Sequence, residues 1–297
     1  MERVRDLGGR PSSLWGRLPL FLEAVKFEES LFALPFAYVG MVLAAGGWPT
    51  WQQFGWITVA MVSARTLGMA LNRVIDRHID ALNPRSAGRH LPTGRLKVRD
   101  LVGLSAVSAA VFFLAAAQLN ALALALAPVA AAYLAFYPFT KRFTWLSNLL
   151  LGWALAIAPS AAWIGVRGSM GWEPFLLSLS VALWAGSFDI LYHTQDYEFH
   201  RRHGLHSVAA RFGVRRAFVI ARAMDAMAVA SLAGAGLLLG MGPAYYAGVA
   251  AAAGLLAYKH TLVSPQDLSR LGMAFFRINA YVSTSVFAAT LVDVFLL

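Results

Sequence analysis

Residues 54–80 read FGWITVAMVSARTLGMALNRVIDRHID, an apolar run that closes on Asn72, Asp76 and Asp80. The apolar part is long enough to cross a bilayer as a helix. An α-helix turns about 100° per residue, so groups spaced i, i+4 and i+8 drift by only about 40° per step. Asn72, Asp76 and Asp80 therefore share one face at the end of that helix. Carboxylates at the margin of a membrane helix are costly and mark function by default. Behind them runs the basic loop Asn83-Pro84-Arg85-Ser86-Ala87-Gly88-Arg89-His90-Leu91-Pro92. Acids on a helix face beside arginines suit a place where a divalent cation and a polyanion meet.

Outward from this stretch, long apolar runs recur along the whole chain. Of its 297 residues, 59% are hydrophobic and 13% charged, and the mean hydropathy is +0.59. This describes an all-α, polytopic integral membrane protein embedded in a lipid bilayer. It is read as one domain over residues 1–297, with a basic cytoplasmic tail over residues 1–20. No cysteine is present, which excludes disulfides, thiolate ligands and thiol nucleophiles. The net charge of +10 falls in loops between apolar runs. That is the pattern of cytoplasmic loops, not of a nucleic-acid surface. The first apolar run is full length and lacks a small-residue cleavage site, so it is expected to stay as a helix and not to be removed as a signal peptide.

About nine spanning segments are expected. They run from about Glu28 to Ala45, Phe54 to Arg77, Leu101 to Gln118, Ala121 to Phe139, Leu146 to Val166, Pro174 to Tyr197, Arg215 to Leu239, Ala244 to Leu262 and Leu268 to Leu297, with Asn120 making a very tight turn between the third and fourth. Basic residues crowd the N-terminal tail and the loops after segments 2, 4, 6 and 8, whereas the opposite loops hold only Arg167. The positive-inside rule then places the N-terminus inside and the C-terminus outside. It points to the plasma (inner) membrane, with the acidic stretch on the cytoplasmic side.

A second acidic helix end, Asp189 to Gly204, lies on the same side of the membrane. Asp189 and Asp196 are seven residues apart and return to one face within about 20°. His193 and His200 share that face, while Glu198 does not. Magnesium takes oxygen ligands, keeps several waters and bridges carboxylates to phosphates. Arg85, Arg89, Lys141 and Arg202 would neutralise phosphate oxygens. In a membrane, a diphosphate ligand points to a lipid tail. An allylic cation left by its ionisation needs a dry site with aromatic faces. His193, His203 and His206 read individually as hydrogen-bonding groups and not as ligands. Arg65, seven residues before Asn72, is either a structural partner of an acid or a binder of a substrate anion. Arg222 and Asp225 read as an ion pair, and Arg277 and Asn279 are ambiguous. Trp48, Trp51, Trp56, Trp163 and Trp172 fall near outer helix ends, where an interfacial aromatic belt is expected.

These residues resemble the UbiA superfamily of membrane prenyltransferases. The first motif, Asn72-x-x-x-Asp76-x-x-x-Asp80, followed by Asn83-Pro84-Arg85-Ser86-x-x-Arg89-x-Leu91-Pro92-x-Gly94, looks like the family signature. Asp189 through Asp196 looks like its second motif, and Tyr137-Pro138-Phe139-Thr140-Lys141-Arg142 is similar to its tyrosine–lysine element. Lys26 through Phe36 looks like the 4-hydroxybenzoate-polyprenyltransferase-like group, including members of menaquinone and futalosine routes.

The resemblance implies nine helices around a central cavity. It implies Mg2+-dependent transfer of a prenyl group from a polyprenyl diphosphate to an aromatic acid, releasing diphosphate, in respiratory quinone biosynthesis. By carry-over, Asn72, Asp76, Asp189 and Asp196 organise the metal and the reaction, with Asp80 in support. By the same carry-over Arg85, Arg89, Lys141 and Arg142 hold the diphosphate; Arg202 and Tyr137 are expected beside it, and Arg65 and Tyr192 facing the acceptor. Two positions depart from the pattern. His200 stands where an aspartate is common, and imidazole is a poor magnesium ligand. Ser86 stands where threonine is common and keeps the hydroxyl. The acceptor is read as 4-hydroxybenzoate or a futalosine-type benzoate. A secondary transporter of an anionic substrate is the competing class, since transporters also combine repeats with intramembrane charge.

Overall fold

The computed structural model describes residues 14–26 and 30–296. Most of the basic tail, and Glu28 and Glu29 at the start of the first expected span, lie outside the described residues. Among the described residues the chain is helical and has no strand. Helix α1 (Leu14–Ala24) precedes α2 (Ser30–Ala45). Helix α3 (Trp51–Leu82) starts on a capping box, in which Gln53 N donates to Thr50 Oγ1 at 3.2 Å and Thr50 N donates to Gln53 Oε1 at 3.1 Å. It ends at Leu82, beyond the expected end near Arg77. The polar residues that seem to close an apolar run instead continue the helix, because loops cover their acidic face.

Helices α4 (Val98–Leu119) and α5 (Ala121–Phe136) are joined by Asn120 alone, as the sequence suggests. The Asn120 side chain accepts from Ala123 N at 2.9 Å and donates to Ile164 O at 2.7 Å. It thus caps α5 and ties the turn to α6 (Ser147–Arg167). Between α5 and α6, Tyr137–Arg142 form a 3₁₀ segment. Helix α7 (Trp172–His193) passes through a 3₁₀ turn, Thr194–Asp196, into the short α8 (Tyr197–Arg202). Then come α9 (Val208–Phe212), α10 (Val214–Leu239) and α11 (Pro243–Leu262). The last span is α12 (Leu271–Met273), a π-helical turn at Ala274–Ile278, and α13 (Asn279–Leu296).

Seven helices among the described residues are long and apolar enough to cross a membrane. Helices α2, with its apolar part at Leu34–Ala45, and α11 stand where the first and eighth spans are expected. Neighbours pack in the order α2, α6, α7, α10, α11, α13 and back to α2, with α3 and α4 paired beside them. Helix α7 is the most buried of the seven. Lipid is as apolar as leucine, so close backbone approach has to supply much of the packing energy. A Cβ on Gly152 would sit 2.1 Å from the Ala182 carbonyl oxygen, and one on Gly40 would sit 2.3 Å from that of Pro159. These glycines let α6 lie directly against α7 and α2 against α6.

Three expectations change. Asp225 does not pair with Arg222, which is exposed; Lys259 Nζ and His260 Nε2 both lie 2.7 Å from Asp225 Oδ2. A buried ammonium on the neighbouring helix needs that carboxylate, and a solvated arginine does not. Trp163 is buried in the core, whereas Trp48, Trp51 and Trp172 are exposed as a membrane belt requires. Asn279 accepts from Trp184 Nε1 at 3.0 Å, while Arg277 is exposed.

Gly152→Val should force α6 off α7 and destabilise the fold by about 1–3 kcal/mol. Thermal unfolding of the purified variant in detergent would show it as a lowered Tm. An unchanged Tm would mean that the crossing is not held by close backbone packing.

Candidate active site

Helices α3 to α7 enclose a cavity of about 500 Å³. Its two ends differ in chemistry. One is walled by Asn72, Asp76, Asp80, Arg85, Arg89, Lys141, Asp189, His193, Asp196 and His200. The other reaches Ile57 and Leu119, toward the opposite ends of α3 and α4, and Met170 in the connection between α6 and α7. Between them the wall is apolar and partly aromatic, with Phe112, Leu134, Trp153, Phe175 and Phe188. A charged head region thus opens into a long hydrocarbon-like channel.

The helix spacing read from the sequence holds: Asn72, Asp76 and Asp80 all face the cavity. Asp76 and Asp80 are 1% and 6% exposed, so each carboxylate requires a compensating charge. Asp76 Oδ2 is paired with Lys141 Nζ, and Asp76 Oδ1 accepts from Arg142 Nη2 at 3.2 Å. Arg142 also donates to the carbonyls of Ile75 and Pro138, both at 2.9 Å, which pins the 3₁₀ segment to α3. Asp80 Oδ1 accepts from Arg89 Nη1 at 2.6 Å. Across the cavity, Asp196 accepts from Arg85 Nε at 3.0 Å, and Arg85 Nη2 closes a bidentate pair on its other oxygen. Burial opposes the charge on Arg85, but its hydrogen bond to Asp196 and that carboxylate's charge outweigh it, holding the guanidinium above its ordinary range. The same guanidinium lies 4.6 Å from the centre of the Tyr192 ring.

The basic loop is held in place by its own polar residues. Arg85 N donates to Asn83 Oδ1 at 3.0 Å, while Asn83 Nδ2 donates to Asp196 Oδ1 at 3.0 Å. Ser86 Oγ donates to the Asp80 carbonyl at 3.1 Å, so serine suffices at this position. In the second motif, Asp189 Oδ2 accepts from Asn148 Nδ2 at 2.7 Å and lies 3.1 Å from His193 Nδ1. Asn148 Oδ1 in turn accepts from Val208 N at 3.0 Å, joining α6, α7 and α9. His200 Nδ1 lies 3.2 Å from Ser207 Oγ.

Both acidic motifs therefore meet in one site. Arg65, Tyr137 and Tyr192 also line the cavity, the first two on the α3 and α5 sides and Tyr192 on α7. Two expected diphosphate residues are placed differently. Arg202 is exposed and outside the cavity lining, and Arg142 braces Asp76 from outside that lining. Glu198 is exposed, in keeping with its helix face. Sequence reasoning missed Asn148 and Ser207 as supports of the second motif. Their only signal is a polar residue at the boundary of an apolar helix.

The sequence matches the model of the UbiA prenyltransferase family over residues 33–281. The chain belongs to the UbiA prenyltransferase family. It is similar to the 4-hydroxybenzoate octaprenyltransferase of Cupriavidus necator, with 34% identity over 282 residues, 93% of this chain and 97% of that protein. Among solved structures, the apo form of a UbiA homolog from Aeropyrum pernix shares 33% identity and superposes with a TM-score of 0.82, covering 90% of this chain and 98% of that one. A UbiA homolog from Archaeoglobus fulgidus, solved with DMAPP and Mg2+, shares the fold at a TM-score of 0.63 and 19% identity, over 90% of this chain and 98% of that one. The protein is thus an integral membrane prenyltransferase.

Arg85→Ala should raise KM for a prenyl diphosphate about 10–100-fold, the loss typical of a hydrogen bond to a charged group. Arg202→Ala should leave KM unchanged. Steady-state kinetics on both variants tests the placement, and a large effect of Arg202 would contradict it. Asn148→Ala leaves buried partners unsatisfied and should cost about 1–3 kcal/mol in thermal unfolding.

Proposed function

We propose that the protein transfers a polyprenyl group from its diphosphate to the ring of a 4-hydroxybenzoate-type acid in respiratory quinone biosynthesis. The observation that carries this reading is the junction of a charged head region with a hydrocarbon-like channel in one cavity. The name of the Cupriavidus necator relative supports the choice of acceptor. Nine spans, with the N-terminus and the charged end on the cytoplasmic side of the inner membrane, agree with the loop charges. The whole chain would then work as one unit.

Asn72, Asp76 and Asp80 offer only oxygen donors, which fit a hard divalent cation such as Mg2+. When bound, such an ion supplies positive charge to the departing diphosphate. Asp76, Asp80 and Asp196 are held by bases. A diphosphate would give Arg85, Arg89 and Lys141 new partners, and Asp76, Asp80 and Asp196 are the carboxylates that would then hold the metal. Arg142 keeps Asp76 in place during the exchange. The carbon–oxygen bond then breaks with its electron pair leaving on diphosphate. Phe188, Trp153 and the apolar wall exclude water from the allylic carbon and offer aromatic faces to its charge. Arg65 and Tyr192 face the acceptor. Its ring carbon attacks the prenyl carbon and then loses its proton, restoring aromaticity.

Asp76→Ala and Asp196→Ala should each abolish product while the protein still purifies as a folded species. The assay is mass spectrometry of products from purified protein, Mg2+, several prenyl diphosphates, and either 4-hydroxybenzoate or a futalosine-type benzoate. Full activity in either variant would overturn the site. Product from the second acceptor alone would move the protein to the other branch. Substrate flux into liposomes without product would make it a transporter.

A further inference from the structure

The second acidic motif has a donor set of its own. His193 at the end of α7, Asp196 in the 3₁₀ turn and His200 in α8 each present a ligating atom, and these atoms lie within 4.8 Å of one another. All three residues line the cavity, and Asp196 and His200 are 3% and 5% exposed. Two imidazoles and one carboxylate make a nitrogen-rich set. It does not match Mg2+, which favours oxygen and retained water. Imidazole suits zinc, iron, nickel and copper ions, and manganese, though it favours oxygen, accepts imidazole more readily than magnesium does.

Both imidazoles are also anchored from behind. His193 Nδ1 lies 3.1 Å from Asp189 Oδ2, and a carboxylate there makes Nδ1 the protonated nitrogen. Asn148 holds the same carboxylate oxygen at 2.7 Å. His200 Nδ1 is engaged by Ser207 Oγ at 3.2 Å. These contacts engage Nδ1 on each ring. A carboxylate behind a histidine is the arrangement by which proteins orient a ligating imidazole and raise its basicity. Asp189, read from the sequence as a metal ligand, becomes a positioning residue in this arrangement.

We propose that His193, Asp196 and His200 form a metal site for a first-row transition ion of the Mn2+ or Zn2+ class, in preference to Mg2+. The oxygen-only cluster of Asn72, Asp76 and Asp80 keeps the harder ion. The role of this second ion beside the diphosphate rests on the prenyl-transfer reading, while the site itself rests on the donor set. Asp196 holds a bidentate arginine, so the site fills best when a diphosphate draws Arg85 away.

The test uses the full-length protein in lipid nanodiscs, stripped of metal and titrated with Mn2+, with and without inorganic diphosphate. Pulsed electron paramagnetic resonance should detect ¹⁴N coupling to a bound Mn2+. The coupling should weaken in His193→Ala and in His200→Ala. Asp189→Asn, a change that keeps shape, should lower Mn2+ affinity at this site about 10–100-fold. His200→Asp should make Mg2+ a better competitor for the same site. Helical circular dichroism and Tm show whether each variant is folded. Bound Mn2+ without ¹⁴N coupling, coupling unchanged in both histidine variants, or no Mn2+ binding even with diphosphate would each overturn the proposal. Product formation is measured separately. Transfer with oxygen-only Mn2+ would sink this site and leave the transferase reading standing. Nitrogen-ligated Mn2+ in a protein that makes no product would do the reverse.

Discussion

A carboxylate held away from water must be matched by a cation, and most of the head of this protein is arranged around that requirement. Asp76 takes Lys141 and Arg142 from the segment between α5 and α6. Asp80 takes Arg89 from the loop after α3, and Asp196 takes Arg85 from the same loop. In three cases the base arrives on a loop or 3₁₀ segment, and it brings that segment over the helix end. The loops of the charged end are therefore folded by the acids they cover. The pairing offsets the charge of each of these three buried carboxylates where it stands.

Helix α7 is the other organising element. It packs against α6 and α10, and its last turns carry half of the site. Its core length is apolar, with Trp184 and Leu191 among the fully buried side chains. The close approach at Gly152 fixes α6 against it, and Asn148, one turn earlier on α6, reaches Asp189. Packing in the apolar layer and hydrogen bonding in the polar one thus set the same spacing between two helices.

Much of this was legible in the sequence because it depends on local periodicity. The faces carrying Asn72, Asp76 and Asp80, and Asp189 with His193, follow from helix geometry alone. The tight turn at Asn120 follows from one polar residue between two apolar runs. What was not legible depends on contacts distant in sequence. Lys259 claims Asp225 from another helix, and no local spacing announces that. Asn148 and Ser207 are single polar residues, so no pattern points to them. The end of α3 at Leu82 lies beyond its apolar run because covering loops, and not lipid, surround its last turns. Arg202 is a different case. Six residues after Asp196 is about 240° around a helix, so the wheel that grouped the acids already turned it away.

The hydrocarbon-like channel that runs from the charged end to Ile57, Leu119 and Met170 changes how tail length can be recognised. A prenyl tail comes from a bilayer that is as apolar as the channel wall. Moving each isoprene unit between the two therefore gains almost nothing from the hydrophobic effect, unlike binding from water. Adding units cannot by itself tighten the grip. Discrimination among tails of different length has to come from shape, through the places where the channel narrows or stops, and affinity has to come from the head group.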